Sequence, residues 1–294
     1  MSNLQQGLVI SHLGQGIAVE VSEKIYLCQT LRKIETVTVG DQVMISISPP
    51  DQGRIEKILP RRSLLERPSR NKKTRPVAAN IDKIFVVFAT EPYCDFLLID
   101  QYLAICENKN IDATLVLNKI DLTNLETIET ELQQYHSLEY DLHKVSAENS
   151  LGINELKLAL KDHVSIFTGQ SGVGKSSLTN RLIPDKRLKT NTVSEITKHG
   201  RHTTTAATLY HLPEGGDLID SPGVAIFGLA DLTEQQLAWG YREFQPLLEQ
   251  CKFNDCRHLK DKGCAVRTAA EKGYISMQRY QRFLKLREKM PTAK

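Results

Sequence analysis

Apolar positions in the first sixty residues come in short runs separated by turn residues. The runs fall at 7–10, 17–21, 24–28, 42–47 and 54–58, punctuated by Gly14, Gly16, Gly40, Asp41, Pro49, Pro50 and Asp51. Short strands at close spacing predict a small closed barrel. An OB-fold suits five strands best, with an SH3-like barrel as the alternative. Beyond residue 77 the pattern changes. Continuous apolar runs at 84–89, 113–117 and 164–168 read as buried strands, with shorter ones at 142–145 and 218–219. Helical patterns at 100–108, 125–135, 153–160 and 175–182 alternate with them. That alternation predicts an α/β domain built on a parallel sheet. From residue 232 the chain reads as a helix over 233–250, capped by Thr233 with Glu234 in its first turn, and ends in a basic helix over 268–289. The expected organisation is a barrel over 1–65, a basic linker over 66–76, an α/β domain over 77–230 and a helical domain over 231–294.

Composition narrows the class. Hydrophobic residues make up 40% of the 294, and no apolar run approaches the ~20 residues of a membrane span. The N-terminus lacks the basic start and apolar stretch of a signal peptide. A cytoplasmic protein with reduced thiols is therefore expected. No dimerisation stripe is evident, so a monomer is expected. The net charge of +3 is mild but uneven. Residues 61–75 carry seven Lys/Arg against Glu66 alone, and residues 251–294 carry twelve against four acids. Two basic segments suggest a polyanionic partner, RNA above all; the plainer reading is a solvated surface.

The chemistry centres on Gly169, Gln170, Ser171, Gly172, Val173, Gly174, Lys175 and Ser176, which fit G-x-x-x-x-G-K-[ST]. The segment follows an apolar strand and opens a helix, the context this motif requires. Glycines let successive backbone N–H groups turn inward around a β-phosphate, and the helix N-terminus adds its positive end. Lys175 would set a point charge between β- and γ-phosphates, Ser176 would give a hydroxyl to Mg²⁺, and Ser177 follows in the same turn.

The base is read from elsewhere. Asn118, Lys119, Ile120 and Asp121 end the strand at 113–117 and resemble N-K-x-D. A carboxylate at Asp121 can accept from both the ring N–H and the exocyclic amine of guanine. Adenine offers no such pair of donors and would leave the carboxylate unpaired. Asn118 and Lys119 would buttress the base and the phosphate loop. Ser146, Ala147 and Glu148 follow the next strand and resemble the S-A-K/E element whose backbone N–H faces the guanine carbonyl. Asp220, Ser221, Pro222 and Gly223 match D-x-x-G, so that Asp220 would hold Mg²⁺ through water and the Gly223 amide would sense the γ-phosphate. The loop at 198–205 resembles a first switch, with Thr204 completing the Mg²⁺ shell and Thr203 as the second choice.

These motifs come in rotated order. In an ordinary small GTPase the phosphate loop precedes N-K-x-D; here it follows. Such a circular permutation is structurally cheap where old termini lie close together. The second switch then leads directly into the C-terminal domain, which a nucleotide-driven shift could move. Many GTPases place a Gln after D-x-x-G to orient water, but Val224, Ala225 and Ile226 stand here. His202 is the candidate to position the water; a surface or RNA-contacting role is the alternative. Slow intrinsic turnover accelerated by a partner is expected.

Cys251, Cys256, His258 and Cys264 gather three thiols and an imidazole within fourteen residues. A Cys₃His set suits structural Zn²⁺, with no open position for catalysis. Free thiols are the alternative. Cys28, Cys94 and Cys106 are scattered and read as ordinary buried thiols.

In this combination the chain resembles the ribosome small subunit-dependent GTPase A family of bacteria. The motifs at 200–205 and 220–223, the permuted order and the Cys-x4-Cys-x-His-x5-Cys spacing carry the resemblance over essentially the whole chain. It implies a circularly permuted P-loop GTPase domain between an N-terminal OB-fold β-barrel and a C-terminal α-helical zinc-binding domain. It further implies a late maturation factor of the 30S subunit that binds GTP/GDP and 16S rRNA, is stimulated by 30S, and uses His202 in hydrolysis. Two other readings stay open: a GTP-gated binding module whose hydrolysis is not essential, and a small-molecule kinase, against which N-K-x-D argues.

Overall fold

The structure is a computed structural model that describes residues 4–31, 33–68, 74–122, 125–183, 207–221 and 232–290. The chain divides into two compact units, one of residues 1–83, 152–167 and 175–226, the other of 84–151, 168–174 and 227–294.

In the first unit, β1 (Leu4–Leu13), β2 (Gly16–Val21), β3 (Lys24–Thr30), β4 (Gln42–Ser48) and β5 (Gln52–Ile58) form the barrel. The order β1-β2-β3-β5-β4 closes because β1 also pairs with β4. All pairings are antiparallel except β3 with β5, which is the OB arrangement. One long strand serves both neighbours: Leu4–Leu8 faces β4, and Leu8–Leu13 faces β2 across a bulge at Val9/Ser11. The alternating positions Val9, Val19, Val43, Ile45 and Ile55 fill the interior. Asp41 is fully buried and accepts from Thr38 N (2.7 Å) and from Arg61 through Nε (2.7 Å) and Nη2 (2.8 Å).

The stretch expected to be a linker carries a hairpin instead, β6 (Leu64–Pro68) with β7 (Thr74–Ala79). The same unit holds α3 (Ile153–Leu160), β11 (Val164–Thr168, whose last residue belongs to the second unit), α4 (Lys175–Leu182), β12 (Thr208–His211) and β13 (Asp217–Asp220). β11 and β13 are parallel, β13 and β12 antiparallel, and β12 reaches the barrel at Ser11↔Thr208. β12 was not expected from the sequence.

In the second unit, β8 (Lys83–Phe88), β9 (Asp112–Leu117) and β10 (Asp141–Lys144) lie in the order β10-β9-β8, with β9 and β10 parallel. α1 (Phe96–Lys109) is capped by Asp95, whose carboxylate accepts from Leu97 N and Leu98 N. It starts earlier than the expected 100–108. A 3₁₀ turn at Leu125–Thr127 precedes α2 (Glu129–Ser137) where one helix was expected. Among the described residues the C-terminal part has four helices where two longer ones were expected: α5 (Glu234–Trp239), α6 (Gln245–Leu248), α7 (Ala265–Glu271) and α8 (Met277–Glu288). Thr233 caps α5 in a full capping box with Gln236.

These helices share one core, in which Tyr241 stacks on Phe244, Tyr280 stacks on Phe283, and the two pairs meet edge to face. α8 is bound to α1 and α2 by buried charge. Arg279 reaches Asp100 (2.6 Å) and Glu243, while Arg282 reaches Asp100 (2.6 Å) and Glu131 (3.0 Å). The expected coupling through the second switch involves residues 222–231, which lie outside the described residues. Among the described residues the C-terminal helices attach to α1 and α2.

Candidate nucleotide site and metal centre

β11 hands the chain to a loop whose glycines have no alternative. Gly169 has φ +133°, and a Cβ there would stand 1.9 Å from the Val87 carbonyl oxygen. Gly174 has φ +92°, and a Cβ there would stand 2.3 Å from Asn118 Nδ2. Positive φ and close backbone approach together restrict both positions to glycine. Val173 is buried, while Ser171 and Gly172 are exposed and Gln170 is half-buried. Lys175 opens α4, with Ser176 and Ser177 exposed in its first turn. Burial pushes the Lys175 ammonium below its ordinary pKa, a cost that an anionic phosphate beside it would relieve.

Asn118 is the buttress. It is buried at the end of β9, and its Nδ2 donates to the Val173 carbonyl (2.9 Å). Its Oδ1 accepts from Ala147 N (3.1 Å). One amide thus joins the phosphate loop to the 146–148 element. Ser146 Oγ accepts from Asn149 N (3.1 Å) and closes that turn. Lys119, at φ +63°, extends its Nζ to the Glu91 carbonyl (2.9 Å). Ile120 donates its N–H to Val145 O (3.2 Å), and Asp121 stands exposed beyond it. Sequence reading missed Glu91, since a backbone acceptor in a loop carries no side-chain signal.

Asp220 ends β13, half-buried, beside the parallel strand that leads into the phosphate loop. His202, Thr204 and Gly223 lie outside the described residues. Ser176 and Asp220 are hard oxygen donors of the kind Mg²⁺ takes.

The ligand atoms of Cys251, Cys256, His258 and Cys264 all lie within 4.8 Å of one another, and all four residues are buried. His258 Nδ1 is 3.7 Å from Cys251 Sγ and 3.6 Å from Cys264 Sγ. A tetrahedral site with Zn–S ~2.3 Å and Zn–N ~2.0 Å requires ligand separations of about 3.5–3.8 Å. Desolvation lowers the His258 pKa and so favours the neutral imidazole a metal needs. Desolvation also pushes Cys256 up to about 12 and raises Cys264, so a bound cation must supply the charge that draws the thiolates out. Cys264 Sγ accepts from Arg267 N (3.3 Å) at the start of α7, and Tyr280 OH donates to His258 O (2.7 Å) from α8. Cys28, Cys94 and Cys106 are buried apart from this cluster, with thiol pKa values raised by burial.

Much of the basic character is structural. Arg61 and Arg62 of the first segment serve Asp41 and Asp82. In the second, Arg279 and Arg282 are buried in ion pairs, and Arg257 and Arg287 hold Glu234. Lys252, Lys260 and Lys262 stay exposed on the metal loop.

A glycine-bound phosphate loop, tied by a buried asparagine to base-recognition motifs that precede it, defines a circularly permuted P-loop GTPase. The RsgA GTPase family model matches residues 58–230. The chain belongs to that family and is a GTPase. A curated relative from Hahella chejuensis is 41% identical over 298 residues, 99% of this chain and 86% of the relative. Another, from Actinobacillus pleuropneumoniae, is 43% identical over 296 residues, 98% of this chain and 86% of its own. Both are named Small ribosomal subunit biogenesis GTPase RsgA. The crystal structure of YjeQ from Thermotoga maritima superposes with a TM-score of 0.79 at 31% identity, covering 96% of this chain and 97% of that one. YloQ, described as a circularly permuted GTPase, shares the fold with a TM-score of 0.75 at 24% identity, covering 99% and 98%.

Proposed function

We propose that this GTPase acts in biogenesis of the small ribosomal subunit in the cytoplasm, binding 16S rRNA, hydrolysing GTP faster on the 30S subunit and leaving afterwards. The observation that carries the nucleotide half is the Asn118 bridge, which fixes Val173 and Ala147 from one buried amide. In this reading Asp121, three residues beyond Asn118, accepts from the guanine edge. The names of the relatives support the ribosomal half.

In this reading, backbone N–H groups of 169–174 and Lys175 hold the phosphates. Ser176, Thr204 and Asp220 hold Mg²⁺, which supplies charge neutralisation on the β- and γ-oxygens when bound. Lys119 and Ile120 flank the base, Ser177 closes the phosphate site, and the Gly223 amide senses the γ-phosphate. His202 accepts from the attacking water. Cys251, Cys256, His258 and Cys264 hold one structural Zn²⁺. With the 64–79 hairpin in place of a linker, a barrel over 1–65, a domain over 77–230 and helices over 231–294 then describe a GTPase between two RNA-gripping modules.

Replacing His202 with Ala tests the catalytic part. Lost turnover with retained 30S binding supports hydrolysis-driven release. Unchanged 30S-stimulated turnover removes His202 from the mechanism.

A further inference from the structure

A groove of about 500 Å³ opens beside the metal centre, lined among others by Gln235, Trp239, Leu248, Phe253, Asn254 and the metal ligand His258. Its size falls within the range of ligand pockets. Two large aromatic side chains stand in it with much of their surface in water, Trp239 at 50% and Phe253 at 46% exposed. The core next to it already buries four aromatics packed face to face and edge to face, so these two are not needed to complete it. Both are held on firm backbone. The Trp239 carbonyl accepts from Gln245 Nε2 (2.9 Å), and Phe253 sits between the ligands Cys251 and Cys256. Asn108, on the groove wall, is pinned by its amide nitrogen to Ala104 O (2.8 Å) and Gln236 O (2.7 Å).

We infer that this groove is a binding site for an unpaired nucleobase of single-stranded RNA, with Trp239 and Phe253 as stacking faces. The inference rests on the ribosomal reading and deepens it. Single strands are recognised by aromatic faces beside positive charge, with amides along the base edge. Aromatic faces and amides line the groove together with one carboxylate, Glu249, and the positive charge stands on the adjoining loop. Lys252 Nζ stands 5.6 Å from the Phe253 ring centroid, and Lys260 and Lys262 are exposed on the same loop. A protein partner would favour a rim poorer in lysine, since lysine is depleted at protein interfaces. Gln235 and Asn254 supply side-chain amides that can meet a base edge.

Trp239 is the chain's only tryptophan, so intrinsic fluorescence reports the groove directly. The metal-loaded full chain is titrated with a mixed-sequence twelve-nucleotide oligoribonucleotide and with an abasic strand of equal length. The expected result is strong quenching by the first and little by the second. Phe253→Ala should weaken binding on the order of tenfold, and Phe253→Tyr should restore it. Equal metal content in both variants establishes that the centre is intact. Equal response to the abasic strand, or an affinity unaffected by Phe253→Ala in the intact protein, overturns the inference. So does a Trp239 response to ribosomal proteins with none to RNA, which would make the groove a protein-docking site. GTP hydrolysis with 30S subunits is measured alongside. Stimulation of wild type without quenching by RNA removes the base site and keeps the ribosomal reading; quenching without stimulation does the reverse.

Discussion

Arg279 Nη1 lies 2.6 Å from Asp100 Oδ1, with both side chains almost wholly buried. The pair joins α8 to α1, and Asp100 accepts also from Arg282 Nε (2.6 Å) and Tyr135 OH (2.6 Å). One carboxylate thus fixes the C-terminal helices on the element that follows the loop carrying Glu91. Removing one partner of a buried ion pair costs about 3–5 kcal/mol. Asp100→Ala, which leaves Arg279 with Glu243 alone and Arg282 with Glu131 alone and strands the Tyr135 hydroxyl, should fall within that range in denaturant unfolding. Arg279→Met should cost less, since Arg282 still satisfies Asp100. Equal and small effects would mean that α8 is held by its apolar face alone.

The phosphate loop makes a sharper demand. Gly174→Ala would put a methyl group 2.3 Å from Asn118 Nδ2, at a φ that costs an alanine about 1–2 kcal/mol before any clash. Fluorescent GDP titration should show affinity reduced tenfold or more, with the unfolding midpoint little changed. Asn118→Ala should lower affinity similarly, by freeing both Val173 and Ala147. Unchanged affinity in either variant would discard the buttress.

His211 links β12 and β13 to the barrel. Its Nδ1 is 2.6 Å from Asp217 and its Nε2 2.5 Å from Glu20. Hydrogen bonding to Asp217 is the largest cause, opposed by desolvation and helped by Glu20, of a pKa raised to about 9 from 6.5. A histidine whose folded pKa is raised contributes stability that is complete below the unfolded pKa and is lost as pH rises through the folded one. The wild-type melting temperature should therefore fall from pH 7 to pH 9.5 more steeply than that of His211→Gln. Because the side chain is half exposed, the difference should be modest. Parallel profiles would show that the imidazole is neutral throughout.

Removing the metal should loosen the C-terminal helices. The purified chain is expected to carry one zinc per molecule by elemental analysis. Chelation should lower the melting temperature, because metal affinity is folding energy in such loops. Cys256→Ser should carry less zinc. A chain of unchanged stability after complete metal removal would contradict a structural role.

The parts of the fold that were legible in the sequence are those where local pattern and tertiary setting agree. α3, β11 and α4 fall at the expected residues, since a buried apolar strand, a Gly-rich loop and a helix leave little choice. The C-terminal helices were read as longer than they are. Gly240 ends α5 where a Cβ would lie 2.6 Å from Ala104 Cα, a packing constraint from α1 that no local pattern carries. Gly273, at φ +76°, lies between α7 and α8. β12 was missed because it is four residues long, too short for a pattern to register; it pairs with the nearby β13 and touches the distant β1 at one residue pair. Asp100 was hidden for a related reason: its partners sit on a helix distant in sequence, and a lone carboxylate in a helical stretch reads as surface. The four thiol and imidazole groups that converge here stood out because their spacing is itself the signal.

The most direct test is GTP hydrolysis by the purified chain, alone and with 30S subunits, with ATP as competitor. The account expects a rise of tenfold or more on 30S, about 1.4 kcal/mol of barrier, and no effect of ATP, because adenine lacks the donor pair that Asp121 would accept. Turnover that ATP inhibits, or that 30S leaves unchanged, would contradict it.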